Sequence, residues 1–482
     1  MDFKSNSSGT TNFNLPNGKF HKKEKTAHQL THSFKFFSSH WSKLVFTSLS
    51  MLIIVFGSYF AIQYAQGNYR FTKNGILPES GLLNANSFPT GAQVFVDGEL
   101  TTATDNTVYF KPGTYQVKIV KEGYSPWEKT LEIKKELVAQ TNARLFPIAP
   151  SLIPLTFTGV ENVLPSPDGR KIVYYAASAS AETRNGLYVL ELNDNLMPFQ
   201  KTSRQVAEDV PIYNLAQAEL IWSPDSTQIM VLSEVKQVLI DINQTSKLPS
   251  LPDISFRRQQ ILSGWEEEMY LRERQYLAEF PPEILTIATQ SAKNVYISPD
   301  KKKLLYTATA SATLVDNIVP PLPSTNTQPE SRTIQPGKIY IYDREEDKNF
   351  EIAVESGEKT TVTKALLADD LYNKQPRTLL ASPSAFSRLQ ANSLKETTLN
   401  FHAYHTSLPI NTLQWLPDSN HLVFARDNHI QVLEYDGTNN STLYSGPFAK
   451  NFIYPWPDDS QLIILTSFSP ESPQNLYAIE LK

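Results

Sequence analysis

Three textures of apolar and polar residues follow one another along the chain. The first is unbroken: LVFTSLSMLIIVFGSYFAIQY, from Leu44 to Tyr64, has no charge in 21 positions. A helix rises 1.5 Å per residue, so about 20 such residues cross the roughly 30 Å apolar core of a bilayer. The second texture alternates: AQVFVDG and TYQVKIVKEGY, within residues 87–147, carry the two-residue period of strands buried on one side. Asp97-Gly98 is the dipeptide of a tight hairpin, Pro112-Gly113 opens the next strand and Gly123 breaks it. The pattern predicts a small β sandwich over this stretch.

The third texture, over residues 150–482, repeats. Pro-Asp occurs at Pro167-Asp168, Pro224-Asp225, Pro299-Asp300, Pro417-Asp418 and Pro457-Asp458, and the fourth to sixth residues after each aspartate form an apolar triplet. The triplets are Ile172-Val173-Tyr174, Ile229-Met230-Val231, Leu304-Leu305-Tyr306, Leu422-Val423-Phe424 and Leu462-Ile463-Ile464. With 40% hydrophobic residues, five such triplets in register arise by chance about once in a million, so the chain contains an internal repeat. A second apolar run in each unit ends on a carboxylate, at Glu191, Asp241, Asp343, Glu434 and Glu480. Proline has no amide hydrogen and stops the first strand from pairing further, while the aspartate accepts an amide two residues on and holds the turn. The triplet is apolar on both faces, as in a strand sandwiched between neighbouring sheets. Sheets stacked in this way around an axis make a β-propeller. The predicted fold is therefore mainly β: a small sandwich, then a propeller with five blades favoured and six possible, preceded by one transmembrane helix.

Successive aspartates stand 57, 75, 118 and 40 residues apart, and about 40 residues suit one four-stranded blade. The wider gaps hold insertions. Trp265, Met269, Tyr276 and Phe280 fall on one helical face, which predicts an inserted helix over 265–280 ended by Pro281-Pro282. VDNIVPPLPSTNTQPESRTIQP has no period and is read as a flexible loop over 315–336. Residues 360–410 leave room for a helix or a degenerate sixth blade. The last unit lacks a fourth strand, which SLIPLTF near residue 151 is placed to supply.

Charge divides the chain in the same places. The net value of -5 is the sum of +5 over residues 1–43, which hold seven lysines, Asp2 and Glu24, and -10 over the rest. Basic residues ahead of the apolar helix predict a cytoplasmic N-terminus and extracytoplasmic C-terminal domains at a cell membrane. A cleaved signal peptide would have a shorter leader and an apolar stretch of roughly 7–15 residues, and a buried core helix would show a polar face. The polar tail 1–43 is expected to be disordered and residues 65–86 to be a linker. An acidic body excludes nucleic acid as a partner, because phosphate binding needs clustered Lys and Arg. Without cysteine, the fold has no disulfide, thiolate-held metal or Cys nucleophile.

Two resemblances rest on these residues. Pro89-Thr90-Gly91-Ala92, VFVDG, KPGTYQVKIVKEGY and Trp127 make residues 87–147 resemble a PEGA domain, with Thr90 where that family has glutamate. This implies a small extracytoplasmic β module without a catalytic role. The WSPDS and SPDG phrases with LYVLE-type strands, across residues 150–482, resemble TolB-type (WD-like) propeller repeats of the bacterial cell envelope. Trp222 and Trp415 stand where that pattern has its tryptophan, and Pro165, Ile297 and Pro455 replace it elsewhere. This second resemblance implies a platform for protein binding or a positioning module.

Candidate chemistry is sparse. Neither G-x-S-x-G nor H-E-x-x-H occurs. SGEKTT at Ser356 interrupts the Gly-Lys pair of a phosphate loop, and His402 with His405 lacks a third ligand. His21, His28 and His32 lie in the polar tail. Glu266 to Glu268 are expected to open the inserted helix, where the helix dipole favours negative charge. No catalytic, metal-binding or cofactor-binding residue is assigned, no small-molecule cofactor is expected, and the binding residues are left unassigned. The expected function is that of a membrane-anchored extracytoplasmic binding or scaffold protein whose propeller meets a protein or an envelope glycan. The alternative is an envelope hydrolase or lyase with a site in the propeller channel, which needs three or more convergent Asp, Glu, His or Arg side chains.

Overall fold

The computed structural model describes residues 31–65, 69–72, 75–78, 80–177, 184–192, 203–320, 322, 326–352, 413–426, 428–450, 452–469 and 471–482. The chain divides into two units, Met1–Pro78 and Glu79–Lys482. In the first, helix α1 runs over Thr31–Ala65, and a hairpin pairs Tyr69–Thr72 with Gly75–Pro78. The segment Lys43–Ala65 is long and apolar enough to cross a membrane, and none of its residues is buried. Helix α1 thus begins within the tail that was expected to be disordered. Residues 1–30 lie outside the described residues.

The second unit opens with the β module. Its first strand, Gly81–Ala85, lies in the expected linker and takes the centre of a three-stranded sheet between Val138–Gln140 and Asn106–Phe110. A four-stranded sheet runs in the order Glu99–Ala103, Gln93–Val96, Gly113–Val120, Trp127–Ile133. Asp97 and Gly98 have φ of 49° and 85°. These are the paired positive angles that a two-residue hairpin needs to match the twist of its strands. Alternate residues point inward, so Leu83, Val94, Val117, Ile119, Trp127 and Ile133 share one core.

Each Pro-Asp unit then forms one antiparallel sheet. Sheet 1 comprises Glu161–Pro165, Lys171–Ala176, Gly186–Glu191 and Arg204–Glu208, and sheet 2 comprises Glu219–Trp222, Gln228–Leu232 and Gln237–Asp241. Sheet 3 comprises Ala292–Ile297, Lys303–Ala308, Ile339–Asp343 and Lys348–Ile352, and sheet 4 comprises Gln414–Trp415, His421–Arg426, His429–Glu434 and Ser441–Ser445. Sheet 5 has Ile453–Pro455, Gln461–Thr466 and Asn475–Glu480, and its fourth strand is Leu152–Pro154, paired antiparallel to Asn475–Glu480. The early segment near residue 151 therefore completes the last sheet.

The apolar triplets send successive residues to opposite faces, as a strand must. Ile172 and Tyr174 join a cluster with Tyr454, Ile463 and Ala478 of sheet 5, while Val173 joins one with Trp222, Ile229 and Val231 of sheet 2. Val423 packs with Leu462 and Ile464 of sheet 5, and Leu422 and Phe424 with Leu305 and Ile341 of sheet 3. Among the described residues, sheets 2 and 3 share no such cluster. Met230 of sheet 2 packs on Leu262 of helix α2, Arg258–Leu277. Leu304 and Tyr306 of sheet 3 pack on Ile284 and Ile287 of helix α3, Pro282–Gln290. The insertion is thus a helix pair rather than one helix over 265–280, and it covers the faces of sheets 2 and 3 that no other sheet covers. Proline fits the first turn of a helix but not its interior, so Pro281-Pro282 ends one helix and starts the next.

Candidate functional site

The five Pro-Asp turns are built alike. Each aspartate carboxylate accepts the amide two residues on, from Arg170, Thr227, Lys302, Asn420 and Ser460. The residue after each aspartate is left-handed: Gly169, Ser226, Lys301, Ser419 and Asp459 have φ of 74°, 58°, 64°, 59° and 62°. Two of these residues also link neighbouring sheets. The Ser226 hydroxyl accepts the Asp168 amide at 3.0 Å, and the Ser419 hydroxyl accepts the Asp300 amide at 2.9 Å. The third position after the aspartate is basic in three units, with Lys171 2.7 Å from Asp168, Lys303 3.7 Å from Asp300 and His421 2.6 Å from Asp418.

Between the turns of sheets 4 and 5 the pattern changes. Asp459 stands where Ser226 and Ser419 stand in their turns, and an arginine from the β module enters. Arg144 Nη1 lies 2.9 Å from Asp418 Oδ2 and also pairs with the Asp459 carboxylate, while Nη2 donates to the Asp459 carbonyl at 2.7 Å. The guanidinium sits 4.8 Å over the Phe146 ring, and that ring meets His421 edge-on at 5.3 Å. Burial alone would raise the Asp418 carboxyl, but His421 and Arg144 outweigh it and hold the group well below the ordinary carboxylate range.

A second cluster lies beside the turn that follows Glu434. Lys129 Nζ is 2.5 Å from both Glu434 and Asp436, and Trp127 Nε1 donates to Glu434 at 2.5 Å. The Lys129, Glu434 and Asp436 side chains are 9%, 10% and 0% exposed. Burial opposes the lysine's charge, yet the two carboxylates raise its pKa; Lys129 and Asn326 in turn lower that of Asp436 against its own burial. In antiparallel sheets, the turn joining strands one and two and the turn joining strands three and four lie at the same edge. The module therefore stands on the Pro-Asp edge of sheets 4 and 5.

These titratable groups are buried and paired with one another, an arrangement that fixes the module to the sheets. Among the described residues no group of three or more His, Asp or Glu could hold a metal ion. Ser356, His402 and His405 lie outside the described residues. Glu266 to Glu268 fall in the middle of α2, eight residues past its start at Arg258, so the helix dipole does not explain them; Glu268 pairs with Arg272 one turn on, at 2.8 Å. Sequence reading missed Arg144 and Lys129 because each acts on residues far off in the chain, 274 and 315 positions away for Arg144 and 307 for Lys129 and Asp436. The second acid of Pro457-Asp458-Asp459 was the available signal.

Residues 80–148 match the PEGA domain family. That range includes the Gly81–Ala85 strand, the part of the module expected to be linker. No curated protein matches the chain. Among solved structures, a TolB from Agrobacterium tumefaciens is similar at 12% identity over 66% of this chain and 76% of its own, with a TM-score of 0.19. TolB from Acinetobacter baumannii is similar at 9% identity over 76% of this chain and 60% of its own, TM-score 0.19. Oligogalacturonate lyase from Vibrio parahaemolyticus is similar at 9% over 76% and 86%, TM-score 0.24.

Proposed function

We propose that this protein is a membrane-anchored extracytoplasmic binding platform. In this reading the five sheets close into a five-bladed propeller with α2 and α3 filling the sector between sheets 2 and 3. Helix α1 crosses the cell membrane with the basic tail in the cytoplasm, and in chain order the PEGA module follows the anchor and precedes the sheets. The PEGA match and the single apolar helix support the placement.

One observation carries the binding role. The PEGA module occupies the Pro-Asp edge, while large apolar side chains stand exposed at the opposite edge of sheets 5, 1 and 2. Phe256, Phe157 and Phe468 are 100%, 78% and 57% exposed, and Ile212 and Val235 join them from the adjoining connections. Exposed apolar patches on one face mark interaction surfaces. Aliphatic residues among the phenylalanines favour a protein over a glycan, since sugar recognition needs flat aromatic faces framed by hydrogen-bonding groups. Against the hydrolase or lyase reading, the charges that converge at this edge among the described residues sit in closed pairs beneath the PEGA module. Photo-crosslinking from the full-length protein in its native membrane, compared with Phe256→Asp and Phe468→Asp variants, tests the platform. The variants should lose the wild-type crosslinked protein. Unchanged crosslinking, or capture of glycan alone, would overturn the reading.

A further inference from the structure

The outer strand of the PEGA four-stranded sheet, Trp127–Ile133, pairs only with Gly113–Val120. A strand in that position leaves every second set of backbone groups without a ladder partner. Here those groups belong to Glu128, Thr130 and Glu132, and side chains from the sheet array take one backbone group of each. Asn439 accepts the Glu128 amide at 2.8 Å. Thr327 Oγ1 and Gln328 Nε2 donate to the Thr130 carbonyl at 3.1 and 2.8 Å, and Thr327 Oγ1 lies 3.4 Å from the Glu132 amide.

Thr327 and Gln328 belong to the Pro-rich insertion of sheet 3. The described part of that insertion is fastened at both ends. Asn326 donates from Nδ2 to Asp436 at 2.7 Å and to the Tyr435 hydroxyl at 3.1 Å, and its amide donates to Glu346 at 2.9 Å. Its carbonyl accepts from Lys348. Asp436 is also the carboxylate that holds Lys129. Farther on, the Ser331 amide donates to the Asn349 carbonyl and Asn349 Nδ2 donates back to the Ser331 carbonyl, both at 2.7 Å. Arg332 pairs with Asp347 at 3.2 Å. The segment is thus tied to the outer strand of sheet 3 and reaches from there to the free edge of another domain.

We propose that residues 326–332 are a clasp. They seal the open edge of the PEGA sheet and, together with the Arg144 and Lys129 ion pairs, hold the module to the sheet array as one rigid body, and they can be released without unfolding either part. The contacts to the edge are side-chain hydrogen bonds alone, each of the ordinary strength that breaks and reforms readily. The inference is independent of what the far edge binds.

Because the chain has no cysteine, two can be introduced cleanly, at Lys111 in a PEGA turn and at Glu471 at the far edge of sheet 5. Spin-label distances in the full chain should give one narrow distribution, and the combined N326A, T327A and Q328A variant should broaden it. A narrow distribution in the variant, or a broad one with the clasp intact, overturns the proposal. Hydrogen exchange adds a readout that needs no variant. The Glu128 and Glu132 amides should exchange slowly in the unsubstituted chain, and exchange at the rate of an open edge would also overturn the clasp. In the variant, Glu132 should exchange at least about fivefold faster, the factor one ordinary hydrogen bond supplies, while Ile463 in sheet 5 stays unchanged. A rise at Ile463 as well would mean that the sheets themselves loosen and that the clasp is not separable from the fold.

Discussion

The residue after each Pro-Asp carries more of this structure than its exposed position implies. An L-residue held left-handed costs about 1 kcal/mol, and only Gly169 avoids that cost. Gly169→Ala should destabilise the protein by about 1 kcal/mol in urea unfolding, and its new Cβ would sit 3.3 Å from the Tyr454 hydroxyl. At Ser226 and Ser419 the strain is offset by the bond to the aspartate amide of the next sheet. Ser226→Ala and Ser419→Ala should each cost about 1 kcal/mol. The two losses should add, because the turns share no partner. Coincident values for single and double variants would show that these bonds do not join the sheets. The turn was legible from Pro-Asp alone, since the side-chain bond is local. The hydroxyl's partner was not, because it lies 58 residues away in one case and 119 in the other.

Between elements, the PEGA module is held by buried charge. Removing one partner of a buried pair leaves the others unpaired in a poorly solvated site, so Lys129→Met should destabilise by about 3 kcal/mol. Adding Glu434→Gln and Asp436→Asn should recover a large part of that loss; no recovery would mean that packing, not charge, is lost at Lys129. Asp418 and Asp436 both titrate below the usual carboxylate value in the folded protein. A depressed carboxyl stabilises the fold above its unfolded pKa, and that contribution fades as pH falls through the folded one. Unfolding free energy should therefore decline below about pH 4, and Asp418→Asn should flatten the decline; an unchanged slope would remove Asp418 from the clamp. The helix pair shows where element reading stopped short. Trp265 to Phe280 gave the periodic stretch, but α2 begins earlier, at Arg258, with the Arg257 side chain at its cap making no capping hydrogen bond. No capping residue marked that start, and packing on Met230 supplied what local propensity lacked.

For the molecule as a whole, Leu152–Pro154 joins the end of sheet 5 to the start of the repeat. Ile153 packs in the cluster shared by sheets 5 and 1. Ile153→Asp should speed hydrogen exchange in both sheets together, and a change confined to sheet 5 would show that the strand does not couple them. Protease added outside intact cells should reach the five sheets while the basic tail stays protected; the opposite pattern would reverse the proposed orientation. The apolar triplets determined the sheets by themselves, because a strand with two greasy faces has to be covered on both sides. The hydrophobic stretch before residue 65 determined a membrane-length helix for the same kind of reason: the pattern is local and complete within the segment. Tertiary structure alone decided that helices cover the faces between sheets 2 and 3, that Arg144 and Lys129 seat the PEGA module, and that a proline-rich insertion closes its edge. Each of those depends on which distant groups remain unpaired once the sheets have assembled, and no stretch of sequence contains both partners.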